Sequence, residues 1–251
     1  MENEECNEHF AIATDIGKKR KNNEDCVEFV QGPDSGLLVV CDGMGGHRKG
    51  EVASNLIKDC LSLAFQRNRK KFNLRRVKHF FHKQLKLVNK EIYRLSMQGN
   101  EVKEMGSTVV SCLIFEGGTY IVSAGDSRCY TFCEEDGLVQ RTTDQTYVQV
   151  LFEEGKITRA EMATHPQKNL LINAVGILPE LTHLQEFYLP NTAYSSLLLC
   201  TDGLYNMVSE SEMVSVLKDK SMDVKTKAKT LIDLALEHGG NDNIAVAIWE
   251  N

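Results

Sequence analysis

The 251-residue chain carries a formal net charge of −6 and 42% hydrophobic residues, enough for a sizeable core and a balance that argues against nucleic acid as its main partner. Its apolar runs are too short to cross a bilayer, and its acidic start, MENEECNEHF, lacks the basic-then-apolar pattern of a signal peptide. Eight cysteines without CxxC pairs indicate a reduced, cytoplasmic protein rather than a disulfide scaffold.

In chain order, strands are predicted at FAIATDI (10–16), CVEFV (26–30) and LLVVCD (37–42), from their β-branched and apolar content and their Gly, Asp or Asn boundaries. Two long helices follow. In the first, Val52, Ala53, Leu56, Ile57, Cys60, Leu61 and Ala64 keep the i, i+3, i+4 spacing; the second covers roughly 74–97. Strands resume at STVVSCLIF (107–115), TYIVSAGD (119–126) and RCYTFC (128–133). The short breaks at 116–118 and at Gly125-Asp126-Ser127 predict antiparallel meanders. Residues 145–180 are polar and irregular, with short helical pieces around ITRAEMA, and read as an insertion on the rim. SSLLLCTD (195–202), a helix over roughly 225–238 and NIAVAIW (243–249) complete the pattern. Helices do not alternate with strands one by one, so the fold class is α+β, with antiparallel sheets covered by helices.

Four aspartates sit where a strand meets a turn: Asp42, Asp126, Asp202 and Asp242. One Asp-Gly at a strand end is ordinarily a turn signal. Four of them can converge on one sheet edge, where their repulsion is relieved by a hard cation; oxygen-only ligands favour Mg2+ or Mn2+ over zinc. In CDGMGGHRKG (41–50) the Gly43 carbonyl is a further candidate ligand, and a residue without Cβ lets the backbone approach closely. RKNNED (20–25) adds Arg20, Glu24 and Asp25. Taken alone it could be a surface ion pair; beside clustered carboxylates its guanidinium suits phosphate. Rival phosphatase chemistries fail on spacing. Six residues separate Cys41 from Arg48 where a cysteine phosphatase needs five, and DxDxT, GDxHG, GNHE, HExxH, Walker A, EF-hand and GxSxG motifs are all absent.

Eight segments in order, TDIGKKRKNNED, VVCDGMGGHRKGEVAS, MGSTVV, AGDSR, TTDQT, HPQKNLL, LLCTDGL and GGNDNIAV, resemble the type 2C family of metal-dependent protein phosphatases, in its compact bacterial branch. The resemblance spans nearly the whole chain. It implies one catalytic domain over 1–251, an α-β-β-α sandwich of two antiparallel sheets flanked by helices, with a flap at about 145–180. It further implies hydrolysis of phosphoserine and phosphothreonine by metal-activated water with no phospho-enzyme, using two to three Mn2+ or Mg2+ ions. By motif position Asp42 would bridge two metals, with the Gly43 carbonyl on one. Asp202 and Asp242 would complete the first metal; Glu24, or Asp25 through water, would serve the second; Asp126 and Asp202 would hold a third. Arg20 would grip the substrate phosphate and His47 would be the general acid. Two positions depart from the family's patterns: Met44 stands where animal-type members have histidine, and Gln145 where bacterial relatives usually have one. The implied partners are phosphorylated proteins and a cognate bacterial Ser/Thr kinase, with no nucleic acid, no membrane insertion and a monomeric chain. A metal-dependent phosphodiesterase and a non-catalytic phosphoprotein-binding module are the alternatives. Residues 66–90 hold many Lys and Arg and no acid, and read either as a solvated helix face over Phe80, Phe81, Leu85 and Val88 or as a docking patch for an acidic or phosphorylated partner.

Overall fold

A computed structural model of the chain describes residues 3–45, 49–68, 70–98 and 105–251. The elements run β1 (Asn3–Cys6), β2 (Phe10–Asp15), β3 (Asp25–Gln31), β4 (Ser35–Met44), α1 (Lys49–Arg67), α2 (Leu74–Ser96), β5 (Gly106–Ser107), β6 (Val109–Phe115), β7 (Gly118–Ala124), β8 (Arg128–Cys133) and β9 (Gly137–Gln140). They continue with α3 (Tyr147–Glu153), α4 (Arg159–Thr164), β10 (Gln185–Leu189), β11 (Ser196–Cys200), α5 (Asp202–Tyr205), α6 (Glu210–Lys218), α7 (Val224–Glu237) and β12 (Ile244–Glu250). Two sheets result. One has the order β1-β2-β12-β11-β8-β9, the other β10-β7-β6-β4-β3, with β5 paired to the end of β4. Every strand pairing is antiparallel.

Three apolar layers follow from strand alternation. In β4, Leu37, Val39 and Cys41 point to α1 and α2, while Leu38 and Val40 point to the other sheet. On the second sheet's partner, Leu198, Cys200, Val246 and Ile248 meet α6 and α7, while Leu197, Leu199, Ala245 and Ala247 fill the space between the sheets. Central strands buried on both faces read as unbroken apolar runs, which is why they were legible. The layering is the α-β-β-α arrangement that the resemblance implied.

One expectation is overturned. The Gly125-Asp126-Ser127 break does not close a meander: β7 belongs to one sheet and β8 to the other. The chain steps across the sandwich there, with Gly125 at φ +108, a region L side chains rarely adopt. Asp126 is thereby delivered to the end of the inter-sheet layer instead of a hairpin tip.

Candidate metal centre and phosphate site

Alternation along β4 places the carboxylates. Leu38 and Val40 face the space between the sheets, and the next position on that face is Asp42. Its register partner on β3 is Asp25, on the same face as Val27 and Phe29. The apolar layer thus ends in a pair of cross-strand carboxylates. The backbone of Asp42 is clamped: its N–H donates to Thr108 Oγ1 (2.9 Å), and its carbonyl accepts from the Thr108 N–H (2.9 Å) and the Ser107 hydroxyl (2.8 Å). Thr201 is fixed by the Ala245 N–H (2.9 Å) and donates its own hydroxyl to Asp25 Oδ2 at 2.6 Å.

Gly43 and Gly50 account for two of the glycines in CDGMGGHRKG. A Cβ on Gly43 would lie 2.2 Å from the Gly50 carbonyl oxygen and 2.7 Å from that of Glu24; a Cβ on Gly50 would lie 2.6 Å from the Gly43 oxygen. The first turn of α1 therefore sits directly on the end of β4, where no side chain fits. Ser54 of α1 donates to the Glu24 carbonyl at 2.7 Å, and the Gly43 N–H reaches the same oxygen at 3.1 Å. Asn243, next to Asp242, holds the opposite side: its amide donates to the carbonyls of Ile16 and Asn22 (2.9 Å each) and accepts from the Glu24 N–H at 2.8 Å.

Asp126, Asp202 and Asp242 join from their own strand ends and act electrostatically on one another and on Asp42. Burial, then the charges of Asp25, Asp202, Asp126 and Asp242, push the Asp42 carboxyl well above its usual range. Asp25 is likewise raised, chiefly by burial and against the Thr201 hydrogen bond. Asp126 is pushed up to about 8 by burial and by Asp202 and Asp144, and Asp202 to about 6 by burial and Asp242. Among the described residues, the side chains are not drawn into a closed set of three or more ligands; shared field and clamped backbone are what join them. Such a set of oxygen donors, carrying more negative charge than neighbouring cations balance, fits a hard divalent cation.

Arg20 bonds Asp242 Oδ2 at 2.7 Å from an exposed loop. A second arginine behind the carboxylates was assigned no role from the sequence. Arg128 grips Asp144 through two bonds (2.8 and 2.6 Å), donates to the Tyr130 hydroxyl at 2.9 Å and lies 3.6 Å over the Tyr205 ring. Tyr205 in turn donates to the Asp126 carbonyl at 3.1 Å. A cavity of about 860 Å³ opens in front, with Asp126, Asp202, Asp242, Arg159 and Lys168 among the residues that line it. Lys168 is close enough to lower the Asp202 pKa against burial and Asp242.

Gln145 ties the Gly125 crossing to Asn173 and His183. Its side-chain oxygen accepts from the Gly125 N–H (2.8 Å) and the Asn173 amide (2.7 Å), and its amide donates to the His183 carbonyl (2.8 Å). His47, the sequence-based general acid, lies outside the described residues. The other candidates, Arg20, Glu24, Asp25, Asp42, Gly43, Asp126, Asp202 and Asp242, all fall at this one end of the sandwich.

A family model described as protein phosphatase 2C matches residues 17–235. The chain belongs to the protein phosphatase 2C family. The serine/threonine phosphatase stp of Listeria innocua is 35% identical over 243 residues, covering 96% of this chain and 95% of that one. Among solved protein phosphatase 2C relatives, the serine/threonine phosphatase Stp1 from Staphylococcus aureus superposes with a TM-score of 0.87 at 31% identity, covering 96% of this chain and 94% of that one. The catalytic domain of the serine/threonine protein phosphatase PstP, solved in complex with two manganese ions, gives 0.79 at 31% identity, with 96% of each chain covered.

Proposed function

We propose that this protein phosphatase 2C hydrolyses phosphoserine and phosphothreonine in proteins, using Mn2+ or Mg2+ held by its strand-end carboxylates. The observation that carries this reading is the convergence of five half-buried or buried aspartates at one end of the sandwich, beside one exposed arginine whose sole described ion-pair partner is Asp242. Asp42, the Gly43 carbonyl, Asp202 and Asp242 would hold one ion, Asp42 with Glu24 or Asp25 a second, and Asp126 with Asp202 a third. When bound, such cations lower the pKa of a water and neutralise phosphate oxygens.

The chain's own groups do the rest. Arg20 exchanges its single contact with Asp242 for the phosphoryl oxygens, which match its fork better. Arg159 and Lys168 add positive charge to the lining of the cavity, so a phosphopeptide meets cations beside the carboxylates. Thr201, Asn243 and the Thr108 clamp hold the carboxylates without a side-chain rearrangement. His47 protonates the departing serine or threonine oxygen, a role resting on its motif position. The reading assigns a cytoplasmic, monomeric chain acting on phosphoproteins, with the Ser/Thr kinase that makes them as its cognate partner and no nucleic-acid role. Among the described residues no helix is long and apolar enough to cross a membrane.

The test is turnover of a phosphothreonine peptide and of a DNA phosphodiester, in chelator and after adding Mn2+. Peptide hydrolysis lost in chelator and restored by Mn2+, with the phosphodiester untouched, is the expected result. Full activity in chelator with no metal in the protein overturns the mechanism, and preferential cleavage of DNA replaces the substrate.

A further inference from the structure

Helix α2 carries a feature that phosphoester hydrolysis does not use. Residues 66–90 contain ten of the chain's 29 Lys and Arg and no acid, while the remaining 226 residues carry 35 acidic against 19 basic. At about 100° per residue, Arg75, His79, Lys83, Lys86 and Lys90 fall within one narrow stripe. Val77, Phe81, Val88 and Ile92 occupy the opposite side, buried against the sheet. All five stripe residues are exposed, and among the described residues none of them has a carboxylate partner. Lys78 and His82 beside them both meet Glu186 (3.3 and 2.7 Å), and the next acid along the helix, Glu91, is taken by Arg94.

The stripe is about 22 Å long at 1.5 Å per residue. It is straight and convex, since it runs along the outside of a single helix whose inner face is already spent on the core. Leu87, 53% exposed, flanks it. A linear peptide would need a groove with pockets for alternate side chains; a row of unpaired cations on a convex ridge beside an exposed leucine instead matches a flat surface of smeared negative charge. We propose that α2 is a docking face for an anionic lipid bilayer, holding the enzyme at the membrane surface without insertion. The acidic remainder of the chain repels the same surface, so only one orientation is attracted. The carboxylate site opens at the end of the sheets, off the face that carries α2, and docking leaves it uncovered. This inference goes beyond the phosphatase reading and does not depend on it.

Vesicle co-sedimentation tests it. The wild-type chain is expected to bind phosphatidylcholine vesicles containing phosphatidylglycerol at low salt, to be released at high salt, and to ignore pure phosphatidylcholine. The variant Arg75→Gln, Lys83→Gln, Lys86→Gln, Lys90→Gln should bind about a hundredfold more weakly, since each cation near an anionic surface contributes roughly a few-fold in affinity. Turnover of a small soluble phosphoester should be unchanged. A second variant with the same charge loss on the opposite face, Lys218→Gln, Lys220→Gln, Lys225→Gln, Lys229→Gln, should bind like the wild type, which separates a local effect from net charge, while the unchanged turnover shows that the first variant is folded. No binding to anionic vesicles, equal loss in both variants, or tighter binding to an acidic peptide or duplex DNA than to the vesicles overturns the proposal.

Discussion

Two arginines border the carboxylates and have opposite situations. Arg20 is 51% exposed, makes one bond to Asp242 and sits on a loop. Arg128 is 21% exposed, is held by both oxygens of Asp144, and is packed on Tyr205. For Arg128 burial works against the charge, and the Asp144 bond and charge, with Tyr130 and Tyr205, together more than offset it. The first arginine can change partners at little cost; the second cannot leave. In the proposed function, the arginine with a single exposed ion pair takes the phosphate and the buried one serves as a fixed brace.

Among the substitutions, the largest effect should come from the brace. Arg128→Ala strands Asp144 beside Asp126, and should cost about 3 kcal/mol of stability, the low end for breaking a buried pair because part of the side chain still meets solvent. Chemical denaturation checks it; a loss below about 1 kcal/mol would put Arg128 in the same class as Arg20. Arg20→Ala should leave stability within the small range of exposed pairs and instead raise KM for phosphopeptides about tenfold with kcat nearly unchanged. Steady-state kinetics decides, and a fall in kcat at constant KM would move Arg20 from holding the substrate to stabilising the transition state.

His47 sharpens the division from a third side. If it supplies the leaving-group proton, His47→Ala should slow phosphothreonine hydrolysis by about a hundredfold and p-nitrophenyl phosphate far less, since p-nitrophenolate departs unprotonated. Equal losses on both would make it a positioning residue.

The last test concerns pH. Burial and neighbouring carboxylates push Asp126 up to about 8 and Asp202 to about 6 in the fold, against about 3.9 when unfolded. Between those values the folded chain holds more protons, so its stability falls as pH rises. In chelator, Tm should drop by about ten degrees or more from pH 5 to pH 8, and the stabilisation by added Mn2+ should grow over the same interval because binding releases those protons. A chelated protein whose Tm is flat across this window would mean that the aspartates are not compressed as described.

The sequence revealed the parts of this site that follow from one strand at a time. Asp42, Asp126, Asp202 and Asp242 could be picked out because each ends or precedes an apolar run. The central strands were equally plain, since both faces are buried. The three strands that escaped, β1, β9 and β10, are all at sheet edges, where NEEC, GLVQ and QEFYL need no continuous apolar pattern. Helix α6 escaped too, although Ser209 and Glu212 form a capping box that marks its start. Arg128 with Asp144, and Asn243 with Glu24, stayed hidden for a different reason: each pair is made by the packing of separate segments, and neither partner has a local signature. The Gly125 crossing misled because a three-residue break looks alike whether the next strand returns to the same sheet or enters the other.

The ion pair between Arg20 and Asp242 spans 222 residues of chain, and β12 lies between β2 and β11 in the middle of its sheet. On a ribosome making about 5–20 residues per second, Arg20 would wait roughly ten to forty-five seconds for its partner to be made. Until then β2 has no neighbour on that side and Glu24 lacks the Asn243 amide that fixes it. A nascent chain therefore has no assembled centre to bind metal or strip phosphate from the proteins around it, and catalysis begins only when the last strand is threaded into place.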